Sequence, residues 1–247
     1  MISAGPVFDP EATAFSYGFD SIAAYQDWHG LKPDGIPGPV TTTSMVQPRC
    51  GRPDYEEARP PEESSWPRRC MDVTCSYKLA LNLNDDVIQS AWNKALTMWN
   101  QVCGINLRLS EDFDSASIWA TSGPLSGSTL AWSYLPNGNC RERLEQRYDS
   151  EQRWSHDYLA KTILHEIGHA IGLSHSRSKA DIMYPSITGA PVDSYPGDGD
   201  TAKVVDRYGR PNLPDGPDPA PEDTPMGSRI TITGDDLAPG TYTIKKM

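Results

Sequence analysis

The sequence predicts an α+β fold, because two long segments have the residue spacing of amphipathic helices and short strand patterns lie between them. The first segment follows Asp85 and Asp86, acidic residues that suit the positive end of a helix dipole. Its apolar positions share one face, and they are Ile88, Ala91, Trp92, Ala95, Met98, Trp99 and Val102. The second segment covers roughly 157–171, with Ser155 or Asp157 as its cap.

Turn formers and linker compositions divide the chain into four parts. We expect a small helical domain, a compact domain that holds both long helices, a linker rich in proline and acidic residues, and a terminal β-hairpin. In chain order, these parts occupy residues 1–62, 63–210, 211–227 and 228–247. The stretch at 52–67, rich in Pro, Glu and Arg, predicts an exposed linker between the first two parts.

Shorter elements are predicted within both domains. In the small domain, apolar spacing indicates short helices at 19–28 and 41–47. In the compact domain, alternating or short apolar runs predict strands at 77–83, 105–109, 116–121 and 129–135. A final helix at 200–208 is predicted, with Asp200 as its cap and Gly209 as its stop.

Composition and charge exclude several classes of protein. The 247 residues carry 33 acidic and 22 basic side chains, so the net charge is −11, whereas a nucleic-acid partner requires a basic surface. No stretch approaches the roughly 20 apolar residues that cross a bilayer, and residues 1–10 lack the apolar core of a signal peptide. We therefore expect no transmembrane segment and no nucleic-acid partner. A monomer is also expected.

The second long helix carries a pattern of residues that suits a catalytic zinc ion. His165 and His169 are four residues apart, so both imidazoles lie on one face and can bind one metal ion. Gly172 can end the helix in a left-handed conformation, which lets the chain turn back so that His175 supplies a third nitrogen. Three histidines leave one coordination position open, as in catalytic zinc sites. Glu166 is placed to act as general base for a water at that position.

These residues resemble a known family. The motif at 165–175, followed by Met183 in the run Asp-Ile-Met-Tyr-Pro, is similar to the metzincins, whose methionine turn lies under the zinc. Ser176, the Tyr-Pro after Met183 and the run at 48–54 narrow the resemblance to the matrix metalloproteinases, or matrixins. It implies a twisted, mostly parallel sheet of five strands packed on two helices, and an extracellular or surface-associated zinc endopeptidase.

Cys50 lies in the run Pro-Arg-Cys-Gly-Arg-Pro-Asp, which is similar to the matrixin cysteine switch. Zinc prefers a thiolate to water when geometry permits, so Cys50 held over the metal would silence the enzyme until the linker is cut or the thiol is oxidised. Arg49 could hold the segment by pairing with an acidic group. The alternative is that Cys50 belongs to a disulfide. If Cys50 is the switch, the other four cysteines can form two disulfides in three connectivities or stay reduced, and they are Cys70, Cys75, Cys103 and Cys140.

The resemblance also implies a substrate cleft. Residues 128–134 match the strand at the sheet edge, to which an extended peptide would add by backbone pairing. Leu130 and Ala131 match family residues in that strand, although Leu130 fits ordinary core packing equally well. Pro185 matches the wall of the main specificity pocket, where Ile187 replaces the usual tyrosine.

Other metal sites of the family are altered or uncertain. The positions that match the family's structural zinc site include Trp132 and Arg147 instead of histidines, so we predict that this zinc is absent. Asp149 and Glu151 resemble part of a calcium-binding segment, although surface acids are the default interpretation. Two remaining histidines have no such partners and are expected to be solvated, His29 and His156.

Two other functions fit parts of the sequence. Residues 30–41 are similar to a helical module shared by matrixin propeptides and peptidoglycan-binding domains, so a peptidase that acts on cell-wall cross-links is one alternative. A non-catalytic protein that docks through the terminal hairpin is another. Intact Glu166 and three intact ligands favour an enzyme with protein or peptide substrates, because a decayed site is expected to lose one of them.

Overall fold

The computed structural model describes residues 8–55, 64–187 and 196–211. The predicted hairpin at 228–247, and all but the first residue of the linker at 211–227, lie outside these residues. Two hydrophobic cores are present: one lies within residues 8–55, here called the small module, and the other within the remaining described residues, here called the large module. None of the described helices has the length and apolar character that a bilayer span requires.

The described residues contain six α-helices and six strands. The helices are α1 (Pro10–Ser16), α2 (Ile22–Trp28), α3 (Pro39–Met45), α4 (Asp85–Asn100), α5 (His156–Ala170) and α6 (Asp198–Tyr208). The strands are β1 (Arg49–Cys50), β2 (Asp72–Lys78), β3 (Asn106–Leu109), β4 (Ile118–Gly123), β5 (Thr129–Ser133) and β6 (Leu144–Asp149).

The strands form one sheet in the order β1-β5-β6-β4-β2-β3. All neighbours are parallel except β5 and β6, which are antiparallel. This confirms the α+β class and the mostly parallel sheet packed on two long helices. The large module supplies five strands, and β1 of the small module adds a sixth at the free edge of β5.

Helices α4 and α5 form the layer that packs on the sheet. Asn84 caps α4 by accepting a hydrogen bond from the amide of Val87, and Ser155 caps α5 in the same way through Tyr158. The predicted apolar face of α4 is buried, except that Val102 lies beyond the end of the helix and is half-buried. The indole N–H of Trp99 donates to the carbonyl of Leu164 on α5. This packing fixes α5, the helix that carries the predicted metal ligands.

Some predicted element bounds were wrong. Strand β2 begins at Asp72, five residues before the predicted start, because Val73 and Cys75 contribute its buried face. Strand β6 was not predicted, since a polar residue, Gln146, occupies one of its three buried positions and hides the alternation. Helix α1 was also missed, although Asp9 caps it.

The cysteines form one disulfide among the described residues, between Cys70 and Cys140. It ties the start of the large module to the connection between β5 and β6. Cys75 and Cys103 are free and buried, and burial raises the pKa of the Cys103 thiol to about 11. Of the alternatives that the sequence left open for the four cysteines, the structure therefore shows one disulfide and two reduced thiols. Cys50 is also free, which removes the alternative that it belongs to a disulfide.

Gly172 ends α5 with a φ of +95°, and a Cβ there would collide with the carbonyl oxygen of Ser64. We expect Gly172→Ala to lower the free energy of unfolding by about 2–5 kcal/mol, because left-handed strain adds to the collision. Gly127→Ala is the matched control, since Gly127 has a φ of +66° and open space around its Cα. Urea denaturation measures both variants, and equal losses would show that the contact with Ser64 contributes nothing.

Candidate metal centre and active site

Four side chains converge on one point beside α5. The Nε2 atom of His175 lies 3.2 Å from Nε2 of His165 and 3.2 Å from Nε2 of His169. The thiol sulfur of Cys50 lies 3.4 Å from Nε2 of His169. All four atoms lie within 4.8 Å of one another. The structure thus brings together the predicted ligands from α5, from the turn after it and from β1.

The second nitrogen of each imidazole has a fixed partner. Nδ1 of His165 donates to the carbonyl of Ile182, Nδ1 of His169 to that of Leu173, and Nδ1 of His175 to that of Pro53. Because a carbonyl can only accept, each Nδ1 carries the proton and each Nε2 presents a lone pair. Burial lowers the pKa of His165 to about 4 and holds the pKa values of the other two imidazoles well below their usual range, so the rings are neutral.

This arrangement fits a metal cation. Three neutral nitrogens point their lone pairs at one another across about 3 Å, and these lone pairs repel unless a cation lies between them. Burial raises the pKa of the Cys50 thiol well above its usual range, and the Glu166 carboxylate raises it further. A thiolate at this position therefore requires a neighbouring positive charge. Three imidazoles and one thiolate are ligands that zinc accepts in a tetrahedral site.

Glu166 follows His165 on α5 and lies next to the Cys50 thiol. Its side chain is fully buried, and neither carboxylate oxygen accepts a hydrogen bond from a described residue within ordinary distance limits. Burial raises the pKa of Glu166 to about 8, while the nearby Cys50 thiol and Arg52 oppose this shift. A carboxylate with a raised pKa is well matched to accepting a proton near neutral pH.

Met183 packs directly under α5. Its side chain is fully buried, and a Cβ at Gly168 would collide with its sulfur. The carboxylate of Asp200 accepts hydrogen bonds from the amides of Ile182 and Met183, at 2.6 and 3.3 Å. The prediction that Asp200 caps α6 was wrong: the cap is Gly197, and Asp200 instead supports the turn beneath the three histidines.

Backbone pairing holds β1 between two rims of a cleft. On one rim, the amide of Arg49 donates to Ser128 and that of Gly51 to Ala131. On the other rim, the amide of Cys50 donates to Pro185, and Ile187 donates back to Pro48, with distances of 2.8–3.0 Å across both rims. Ala131 and Pro185 thus pair with β1 through their backbone carbonyls, and their role in substrate binding stays a prediction. The side chain of Leu130 belongs to the core of the large module, which is its ordinary packing role.

A buried polar network anchors the segment around Cys50. Arg49 pairs with Asp54, and both side chains are at most 1% exposed. His29 bridges Asp54 and the hydroxyl of Tyr184 in the large module, at 2.7 Å each. The expectation that His29 is solvated was wrong, because its side chain is buried. The expectation of an exposed linker at 52–67 was also wrong at both ends of that stretch, where Asp54, Ser64 and Trp66 are buried. The only sequence signal for the buried position of His29 was its place directly after an amphipathic helix, and that place does not identify its partners.

His29 is neutral in this network. Burial lowers its pKa to about 3, and the Arg49 guanidinium lowers it further. Its Nε2–H therefore donates to the Asp54 carboxylate, while Nδ1 accepts from the Tyr184 hydroxyl. The network connects α2 to the turn that contains Met183. His156, by contrast, lies on the surface side of α5, within reach of Ser90 and Asp157.

Residues 64–66 cover the end of α5, a contact that the sequence did not reveal. The indole N–H of Trp66 donates to the carbonyl of Ala170 at 2.8 Å, next to His169. Its amide donates to the hydroxyl of Tyr208, which in turn donates to the carbonyl of Ile171. The backbone carbonyls of Ala170 and Ile171, which have no partner within the helix, thereby each receive a hydrogen bond.

We expect Trp66→Phe to lower the free energy of unfolding by about 1–3 kcal/mol beyond the loss of packing, because it leaves the buried Ala170 carbonyl without its donor. Trp92→Phe is the matched control, since the indole N–H of Trp92 is buried without a partner among the described residues. Urea denaturation of the two variants isolates the hydrogen bond. Equal losses would show that it does not stabilise the helix end.

The residues discussed for other metals do not belong to the cluster of Cys50 and the three histidines. Trp132 on β5 lies opposite Arg147 on β6, and Asp149 accepts hydrogen bonds from the amides of Leu125 and Glu151. In the described part of the chain, the only close group of three or more metal-ligating side chains is that of Cys50 and the three histidines. The absence of a structural zinc stays a prediction, and the choice between a calcium site and ordinary surface acids at Asp149 and Glu151 stays open.

A mixed sheet above a helix with His-Glu-x-x-His, and a methionine turn below it, together define a metzincin-type peptidase domain. The family model for matrixins matches residues 65–209, more than half of the chain. The chain belongs to the matrixin family of zinc metalloendopeptidases.

Named relatives agree with this family. The chain is 26% identical to metalloendoproteinase 2-MMP of Arabidopsis thaliana over 68% of this chain and 56% of the relative. It is 28% identical to the hatching enzyme of Paracentrotus lividus, over 76% and 34% respectively, and 27% identical to interstitial collagenase of Sus scrofa, over 68% and 38%. The chain thus spans between about a third and somewhat more than half of the length of these relatives.

Proposed function

We propose that this protein is a latent zinc endopeptidase that cleaves extended polypeptides and is inhibited by its own Cys50. Residues 1–62 form the inhibitory pro-domain and 63–210 the catalytic domain, followed by a linker at 211–227 and a hairpin at 228–247. The observation that carries the proposal is the approach of the Cys50 sulfur to the three imidazole nitrogens. A thiolate there occupies the position that a catalytic site leaves open for water.

The roles of the residues follow from their surroundings. His165, His169 and His175 hold the zinc, which when bound supplies the Lewis acidity that activates water and polarises the scissile carbonyl. Glu166 takes the proton from the attacking water and passes it to the leaving amine. Burial of the carboxylate supports this role, because it raises the pKa of Glu166 to about 8.

Substrates bind where β1 lies in the latent form. The backbone of β5 around Leu130 and Ala131, and that of Pro185 opposite, pair with the strand of the pro-domain. An extended peptide offers the same backbone groups, so it can add to the sheet edge after the pro-domain has left. Proteins in an extracellular or surface-exposed location are the substrates that the family relationship favours, and we expect the enzyme to act as a monomer.

Cleavage of casein or gelatin tests this proposal. Purified, zinc-loaded protein is assayed before and after treatment with an organomercurial or limited proteolysis of the segment 52–67. We expect activity only after treatment, and its loss with a chelator. Silence in every condition, with zinc bound and Cys50 demonstrably removed, would contradict the general endopeptidase and favour a cell-wall substrate or a binding role.

A further inference from the structure

A cavity of about 440 Å³ lies at the junction of the two modules. It adjoins the segment 185–187, whose backbone pairs with β1, so it lies beside the path of any peptide that replaces β1. The small module closes one side with residues that carry no charge: Leu31, Val40, Thr43, Ser44 and Gln47. These residues leave together with the pro-domain.

The wall that remains in the catalytic domain contains a half-buried lysine. Lys161 lies on α5, four residues before His165 and therefore on the same face of the helix. It forms no ion pair with any described residue. Burial lowers the pKa of Lys161, which reflects the cost of holding a charged ammonium there without a partner.

The other charges in this wall leave it positive. Lys179 also faces the cavity but is exposed. Asp181 is the only acid among the described residues of the wall, and its carboxylate accepts a hydrogen bond from the hydroxyl of Ser176. The wall also contains the apolar side chains of Ile182 and Ile187, together with Tyr184 and Ser186. Two ammonium groups and one engaged carboxylate over an apolar floor suit a ligand with methylene groups and an anionic end.

We propose that in the activated enzyme this cavity accepts a glutamate side chain of the substrate close to the scissile bond, and that Lys161 determines this preference. The inference rests on the proposed function, since it assumes that the substrate follows the path of β1. The methylenes of glutamate contact the isoleucines, and its carboxylate pairs with the ammonium of Lys161. The pairing supplies the partner that the lysine lacks in the latent form.

Peptides in matched pairs test the preference. Each internally quenched pair carries Glu or Gln at one of three positions on either side of the scissile bond, so that only the charge differs. We expect the activated, zinc-loaded chain to cleave the Glu peptide with a kcat/KM about tenfold higher at one position. Lys161→Met should abolish the difference, and Lys161→Glu should favour a Lys peptide at the same position. Lys203→Met, which removes an exposed lysine of α6 outside the cavity, should preserve it.

Binding to an inactive variant separates this inference from the catalytic proposal. The activated Glu166→Gln protein is titrated with the Glu and Gln peptides at low and high salt, with and without Lys161→Met. Tighter, salt-sensitive binding of the Glu peptide that depends on Lys161 supports the inference even if no peptide is cleaved, in which case the catalytic proposal alone fails. Equal cleavage and equal binding of Glu and Gln peptides at every position overturns it.

Discussion

Replacing Glu166 with glutamine is expected to lower the kcat/KM of the activated enzyme by roughly 10²–10⁴-fold while zinc stays bound. Glutamine has nearly the same shape, so the packing of the buried side chain is retained. It cannot take a proton from water, and no other described carboxylate belongs to the buried cluster around the three imidazoles. Zinc content is measured by atomic absorption, and activity with an internally quenched peptide after removal of the pro-domain.

The comparison variant for Glu166 is Glu111→Gln, which makes the same chemical change at an exposed position. We expect it to have the activity of the wild type. A Glu166→Gln enzyme that binds zinc and cleaves within about tenfold of the wild type would remove Glu166 from the mechanism. If the variant instead loses zinc, the glutamate acts by holding the site together, and Glu166→Asp, which keeps the charge, would restore binding without full activity.

The metal ligands could be predicted from the sequence because their geometry is local. A helix places residues four apart on one face, so His165 and His169 converge wherever α5 packs. His175 follows through a glycine turn that depends only on the same short stretch. Cys50 is different: its position over the histidines depends on pairing between β1 and β5. The resemblance of its surrounding motif indicated the position of the thiol but not that pairing.

The parts that the sequence did not reveal depend on distant contacts. His29 and Tyr184 are 155 positions apart, and Trp66 and Ala170 are 104 apart. Each residue alone has the pattern of an ordinary surface or linker residue. The disulfide between Cys70 and Cys140 is similar, because the spacing of the cysteines does not determine their connectivity. Strand β6 was missed for a local reason, since burial of Gln146 breaks the apolar alternation that identifies a strand.

Replacing Asp54 with alanine is expected to expose Cys50, because it raises the fraction of molecules with a released switch segment by roughly 10²–10⁴-fold. Among the described residues, Asp54 is the only carboxylate that pairs with Arg49, whose side chain is 1% exposed, and it also accepts a hydrogen bond from His29. Removing one member of a buried ion pair costs about 3–5 kcal/mol, because the other charge stays buried without compensation. That free energy is lost from the docked state of the pro-domain, so a larger fraction of molecules has the switch segment released.

The rate at which a thiol reagent modifies Cys50 in the untreated protein measures this release. Mass spectrometry assigns the modified cysteine, because Cys75 and Cys103 are also free. Asp27→Ala is the matched control: Asp27 pairs with Arg177 across the same junction, but both side chains are more than half exposed. Such a surface pair contributes at most about 1 kcal/mol, so modification should accelerate less than roughly fivefold. If both variants react at the same rate as the wild type, the thiol–metal contact alone holds the switch, and the buried network only supports the fold of the pro-domain.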